Sequence, residues 1–401
     1  MTSNVDNTNI ALAITPIWRL AFRPLFLGGT IFSVIAMAWW SHFWSKPLNW
    51  QPHGNPIWWH GHEMLFGFGA AIIVGFLLTA VATWTGVTGL RGKPLAVLAL
   101  TWLFGRLLLA FGAGLTPWLI AAVDVAFPLL ASIAMAYPVA KVKQWRNIMF
   151  VPILLVMALL NASSHWAVIT GHTQLAMQSL HATIMLFTLI IMILGGRVIP
   201  AFTTNATGCQ KHQAIKWLEI TSIISVILLL LIALVGFTSV LSILLFIISC
   251  IAALANGWRF SRWGIQHTWS APLLWSLHLA YIFIPIGFVL LAMHSISLMV
   301  NNSVVMHSFA VGAIGGIILA MVSRVTLGHT GRPLNQPKLT TVAYIFILSA
   351  SAIRIVFPAW LPELTNWGIG VAGSLWVLAY AIYIYFYGPM LVTARADGRP
   401  G

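Results

Sequence analysis

The stretch HEMLFGFGAAIIVGFLLTAVATWTG, His62 to Gly86, carries one acid at its second position and no further charge. At 1.5 Å of rise per residue, a helix of about twenty apolar residues crosses a hydrocarbon core of roughly 30 Å. A barrel strand needs about half that length and alternates polar with apolar side chains, which this run does not do. The stretch therefore reads as a membrane-spanning helix. The rest of the chain repeats the pattern: of 401 residues, 60% are hydrophobic and 6% charged, and the mean hydropathy is +0.94. So few polar residues do not cover a water-soluble core.

Outward from this stretch, twelve spans are expected, at Phe22–Phe43, Trp58–Trp84, Leu95–Gly114, Trp118–Ala140, Ile148–Trp166, Leu175–Ile199, Trp217–Phe237, Val240–Trp258, Pro272–Met293, Val304–Val325, Leu339–Ala359 and Leu364–Val392. The fold class is all-α and polytopic, one integral membrane domain over residues 1–401 whose main partner is the lipid bilayer. The first span continues for about twenty apolar residues without a small-residue cleavage site, so it is read as retained and not as a signal peptide. Basic residues fix the orientation, since those near span ends collect on the cytoplasmic side. They crowd the two termini and every connection that follows an even-numbered span, whereas the opposite connections hold only Lys46. Both termini are accordingly expected in the cytoplasm. The net charge of +14 follows from this asymmetry, so nucleic acid is not an expected partner. Cys209 and Cys250 match no disulfide framework or zinc spacing.

The second, sixth and tenth spans resemble one another. HEMLFGFGAAIIVGFLLTAVATWTG, HATIMLFTLIIMILGGRVIPAFTTNATG and HSFAVGAIGGIILAMVSRVTLGHTG each begin with a histidine and end in a Gly/Thr-rich segment, with His62, His181 and His307 standing 119 and 126 residues apart. Three four-helix units, 18–140, 146–258 and 270–392, are expected. Chance likeness among apolar runs is the competing reading.

The densest polar patch in any span is WWHGHEMLFGFGAA, Trp58 to Ala71. On a regular helix His60, Glu63 and Met64 share a face, while His62 projects about 200° from His60, so one metal ion does not easily take both histidines. Small residues near His62, above all Gly67 and Gly69, would let a flat macrocycle approach the backbone. His62 is thus a candidate axial ligand of haem; the alternative is an interfacial histidine pair beside helix-packing glycines. His307, followed by the run GAIGG, is the expected partner of His62 on one haem b. His181 lies roughly 9 Å inside its span and forms a stripe with Met177 and Met185, soft donors suited to Cu(I) or, on the bland reading, core filler. His278 lies in the cytoplasmic half, where it either holds a deeper site or bonds a backbone carbonyl.

Away from the cytoplasmic span ends, three further charges lie within spans, Arg106 about 12 Å, Asp124 about 9 Å and Arg354 about 8 Å from the periplasmic ends. Arg106 and Asp124 either pair with each other or leave the arginines to meet haem propionates, with Glu63 the one acid near Arg354. Nine of the thirteen histidines fall on the periplasmic side, which points to that half as the functional one. No Walker motif, dinucleotide-binding turn, H-E-x-x-H or nucleophile elbow is present, so hydrolytic and nucleotide-driven chemistry lacks its usual machinery.

Four motifs, HGHEMLFGF at His60, GGRVIPAFT at Gly195, LHLAY at Leu277 and SRVTLGHTGRPL at Ser323, resemble those of the NnrS family of bacterial membrane proteins. The resemblance runs from WRLAFRPLF at Trp18 to the last span. It implies a twelve-helix inner-membrane protein of denitrifiers and pathogens that binds haem and copper and relieves nitrosative stress. A second likeness is architectural: haem–copper oxidase core subunits also have twelve helices in three arcs, with haem-binding histidines on the second and tenth. This sequence lacks their H-x-H pair on the tenth helix and any histidine on the seventh, which argues against oxygen reduction with proton pumping.

The leading expectation is a haem- and copper-binding protein acting on nitric oxide or its products in the periplasmic half of the membrane. Any redox step would draw on an electron donor that the sequence does not name, with Glu63 as the conceivable proton donor. The alternatives are a secondary transporter that uses the buried His, Arg and Asp residues, and a copper permease.

Overall fold

The computed structural model describes residues 12–46, 50–210, 212–296 and 300–399, and among them it contains helices and no strand. Twelve helices are long and apolar enough to cross a membrane: α1 (Phe22–Ser45), α2 (Pro56–Thr85), α3 (Lys93–Phe111), α4 (Pro117–Lys141), α5 (Trp145–Ile169), α6 (Thr173–Thr207), α7 (Lys216–Val235), α8 (Ser242–His267), α9 (Pro272–Ser295), α10 (Asn302–His329), α11 (Lys338–Trp360) and α12 (Pro362–Val392). The protein is an all-α, multi-pass membrane protein. The twelve expected spans are all present. A clear difference is at α6, which continues through Pro200 to Thr207 and stops at Gly208, whose φ of 70° a side-chain-bearing residue rarely adopts. Hydropathy ends the span at Ile199 because the remaining turns are polar, whereas the backbone needs no apolar side chains to stay helical.

The three helices with the repeated histidine motif are the innermost. In α2, α6 and α10, 83%, 78% and 78% of the most apolar window is buried, against 33–61% in the other nine. α6 packs against both α2 and α10. The peripheral helices turn large apolar side chains outward, Leu254 at 74%, Leu159 at 67% and Ile133 at 61% exposure. Such a belt requires hydrocarbon as its solvent.

Two of the inner helices depart from regular α geometry at the residue after the repeated histidine. α2 is α-helical over Pro56–His62, π-helical over Glu63–Gly69 and α-helical again from Ala70. α10 does the same, with Asn302–His307 followed by a π segment over Ser308–Gly315. Both begin alike: the Asn55 side chain accepts from Trp58 N at 3.0 Å and the Asn301 side chain from Val304 N at 3.0 Å. A π turn widens the hydrogen-bonded ring and leaves a carbonyl over, which in a membrane must find another donor. Trp102 Nε1 donates to Gly67 O at 2.7 Å, and Tyr380 Oη to Gly315 O at 2.8 Å. Each irregular segment is therefore held by one buried aromatic from a neighbouring helix.

Candidate functional site

α2 presents two polar faces, because residues two apart on a helix project about 200° from one another. His60, Gly61 and Met64 face a cavity of about 490 Å³ bounded by α1, α2, α6, α10, α11 and α12, at the end where α2, α6 and α10 begin. His62 and Glu63 face the other way, toward α3, α4 and α5.

The cavity walls are mainly apolar, and their polar groups are few. His60, His181 and His307 line it together with Arg354, Asn302 and Ser303. The His60 ring stacks on Trp40, centroids 4.3 Å apart and planes 8° from parallel, and its Nδ1 is buried without a hydrogen-bond partner among the described residues. His307 Nδ1 donates to Ser303 O at 2.7 Å, which fixes the proton on that nitrogen and leaves Nε2 its lone pair. His181 Nε2 lies 3.3 Å from Asn302 Nδ2. Arg354 donates to Ser303 Oγ at 2.9 Å and has no carboxylate partner among the described residues. It also lies within electrostatic reach of His60 and His307. Four thioethers, Met37, Met64, Met177 and Met306, complete the lining.

The second face forms a buried charged cluster. Arg106 pairs with Glu63 and with Asp124, all at 0–3% exposure. His62 Nδ1 donates to Glu63 Oε1 at 3.0 Å, while its Nε2 lies 2.9 Å from Asn161 Oδ1 and 3.3 Å from Asp124 Oδ2. Asn161 Nδ2 donates to Asp124 Oδ2 at 2.7 Å, and His165 Nε2 lies 3.1 Å from the same oxygen. The ligand atoms of His62, Asp124 and His165 all fall within 4.8 Å of one another. At the outer edge, the His53 ring stands 5.5 Å from that of His165. Burial, with His165 and His62 nearby, pushes the His53 imidazole down to about 4.

Several expectations are corrected by this arrangement. His307 shares its cavity with His60 and His181, not with His62, because His62 projects from the opposite face of α2, where it meets Glu63 and groups on α4 and α5. The glycines that were to admit a macrocycle are occupied by this chain's own side chains. A Cβ on Gly67 would meet Arg106, one on Gly69 would meet Phe187, and one on Gly312 would meet Phe283. Arg106 is matched by two acids and is not left over for a propionate. Glu63 is committed to His62 and Arg106 and does not line the cavity. Met185 is fully buried outside the cavity, so the stripe at His181 keeps Met177 and gains Met306 instead. His278 takes the bland alternative: its Nδ1 donates to Leu274 O at 3.0 Å in a packed core. Asn161 and His165 were missed, although their four-residue spacing inside an apolar span sets two costly polar groups on one face.

A family model described as NnrS protein matches residues 16–395. No curated protein matches the chain closely enough to stand as a relative.

Proposed function

The chain belongs to the NnrS family, and from that membership and the geometry of its cavity we propose that it is a haem-binding inner-membrane protein that takes up nitric oxide in the periplasmic half of the bilayer, with both termini in the cytoplasm. Family membership together with a buried His/Asp/His group fits a metal-binding membrane protein. The observation that carries the haem reading is the convergence of three imidazoles and an acid-free guanidinium on one largely apolar cavity of about 490 Å³. That volume lies in the range of small-molecule and cofactor sites, about 300–1,000 Å³.

The residues fit the group. His307, its Nδ1 anchored on Ser303 O, offers Nε2 as one ligand, and His60 or His181 offers the second. Arg354 is the natural partner for the carboxylates of a macrocycle. Bound haem would supply a one-electron couple and, once one of the two imidazoles is released, a coordination site for nitric oxide. The protein's own contribution is to hold the His307 imidazole in the ligating tautomer and to exclude water with the walls of α2, α6 and α10. Nitric oxide is small and apolar, so it reaches such a cavity through lipid without a charged tunnel. Electrons for any turnover would come from a donor outside this chain.

Copper is supported by a separate observation. His181 and the thioethers of Met177 and Met306 line one cavity, a soft donor set that suits Cu(I). A copper permease reading rests on the same residues and predicts copper without haem.

Optical spectra with metal analysis on one purified sample test the proposal. A Soret band that shifts when nitric oxide is added is expected. A colourless, metal-free preparation would favour a secondary transporter, in which Arg354 and the histidines bind substrate.

A further inference from the structure

We propose that His62, Asp124 and His165 form a second metal site, closed off from the cavity by α2, that takes a divalent first-row cation of the zinc class. The site is built from three helices, with His62 on α2, Asp124 on α4 and His165 on α5, and its side chains are 0–2% exposed.

Distance supports it first. An ion held tetrahedrally at about 2.0–2.1 Å sets its ligand atoms about 3.3 Å apart. His62 Nε2 and His165 Nε2 stand 3.3 Å and 3.1 Å from Asp124 Oδ2, and all three donors fall within 4.8 Å. Three donors, counting Asn161 Nδ2 at 2.7 Å, converge on this single oxygen. Such crowding suits a carboxylate oxygen shared by protons in the absence of a cation.

Charge supports it second. With His62 neutral, Glu63 and Asp124 carry two negative charges against the one positive charge of Arg106, so either a second proton on His62 or a metal cation balances the cluster. A divalent ion does so and leaves a surplus that one hydroxide cancels. Three protein ligands with a water-derived fourth is the pattern of an open zinc site and not of a closed structural one.

The surroundings support it third. Arg106 grips Asp124 through Oδ1 and so leaves Oδ2 for the ion. Glu63 accepts from His62 Nδ1 at 3.0 Å, which orients the ring and directs Nε2 inward, as an outer carboxylate does for a ligating histidine. His165 Nδ1 and Glu63 Oε2 are buried without hydrogen-bond partners among the described residues. The donor set has two imidazole nitrogens and one carboxylate oxygen and no sulfur, which separates it from the methionine-lined cavity.

The test is a Co²⁺ and Zn²⁺ titration of the purified, chelator-stripped full chain. It is read as metal retained per chain after desalting and as the visible spectrum of bound Co²⁺. One tightly held equivalent with a four-coordinate Co²⁺ spectrum is expected, and added azide should alter that spectrum through the open position. His165→Asn keeps a donor to Asp124 but loses the imidazole. It should weaken this equivalent by at least about 100-fold, beyond the 10–100-fold effect of losing an outer partner. His307→Ala, which alters only the cavity, should leave it intact. Failure of the wild-type chain to retain an equivalent, or its unchanged retention in His165→Asn, would overturn the site; the cluster would then be balanced by a proton on His62. Its loss in His307→Ala but not in His165→Asn would assign the metal to the cavity instead.

Discussion

Replacing Arg106 by Met removes the one positive charge shared by Glu63 and Asp124 and leaves two carboxylates, 0% and 2% exposed, inside a helix bundle. Breaking a buried ion pair from one side costs about 3–5 kcal/mol, because the remaining charge stays desolvated. At about 1.4 kcal/mol per decade this lowers the folding equilibrium by roughly two to three and a half decades. The control is the neutral triple variant Glu63→Gln, Asp124→Asn, Arg106→Met. It removes both anions with the cation and should recover most of the loss, since buried ionic groups replaced together are often near neutral. Reversible unfolding in mixed micelles, titrated with SDS, reads both variants against the wild type. A cost below about 1 kcal/mol for Arg106→Met, the scale of an exposed pair, would refute the reasoning. So would a triple variant less stable than the single one.

Gly67→Ala places a methyl 2.9 Å from Arg106 Nη1 and closer still to the Phe32 ring; overpacking of this kind should lower the melting temperature at a cost of about 1–3 kcal/mol. Arg354→Gln removes a charge-assisted contact worth about 1.5–3 kcal/mol and should weaken haem binding roughly 10–100-fold. Haem dimethyl ester, which has no carboxylate to meet, should bind both forms alike in an equilibrium titration. A C-terminal alkaline phosphatase fusion should be inactive and a fluorescent-protein fusion bright, as expected for a cytoplasmic C-terminus; the reverse pattern would invert the topology.

The fold was legible because lipid imposes a simple rule. A long apolar run must become a helix that satisfies its own backbone, so composition and length alone place all twelve spans. The pair of Arg106 with Asp124 was legible for a related reason, as two charges at similar depth on neighbouring spans. The facing of His62 was not. A wheel at 100° per residue sets His60 and His62 apart without saying which face meets α6 and α10, and the π segments over Glu63–Gly69 and Ser308–Gly315 void it for the residues that follow the histidines. Nothing in GFG or GAIG announces a π turn by itself. Its supports, Trp102 and Tyr380, come from helices distant in sequence. The glycines misled in the same way: they mark close approach, and which group approaches is decided by Phe187, Phe283 and Arg106 on other helices. His60, which the sequence sets on another face from His62, is the one that faces the cavity, with Trp40 of α1 stacked against its ring.

Haem titration of the purified full chain, of His307→Ala and of His62→Gln in one detergent bears most directly on the proposed haem site. It is read by the Soret band, the spin state and the iron bound per chain. The wild type should bind haem in a six-coordinate, low-spin state. His307→Ala should lose the haem or turn high-spin, and His62→Gln should retain the wild-type spectrum. Haem lost from His62→Gln and kept unchanged by His307→Ala would contradict the cavity as its site.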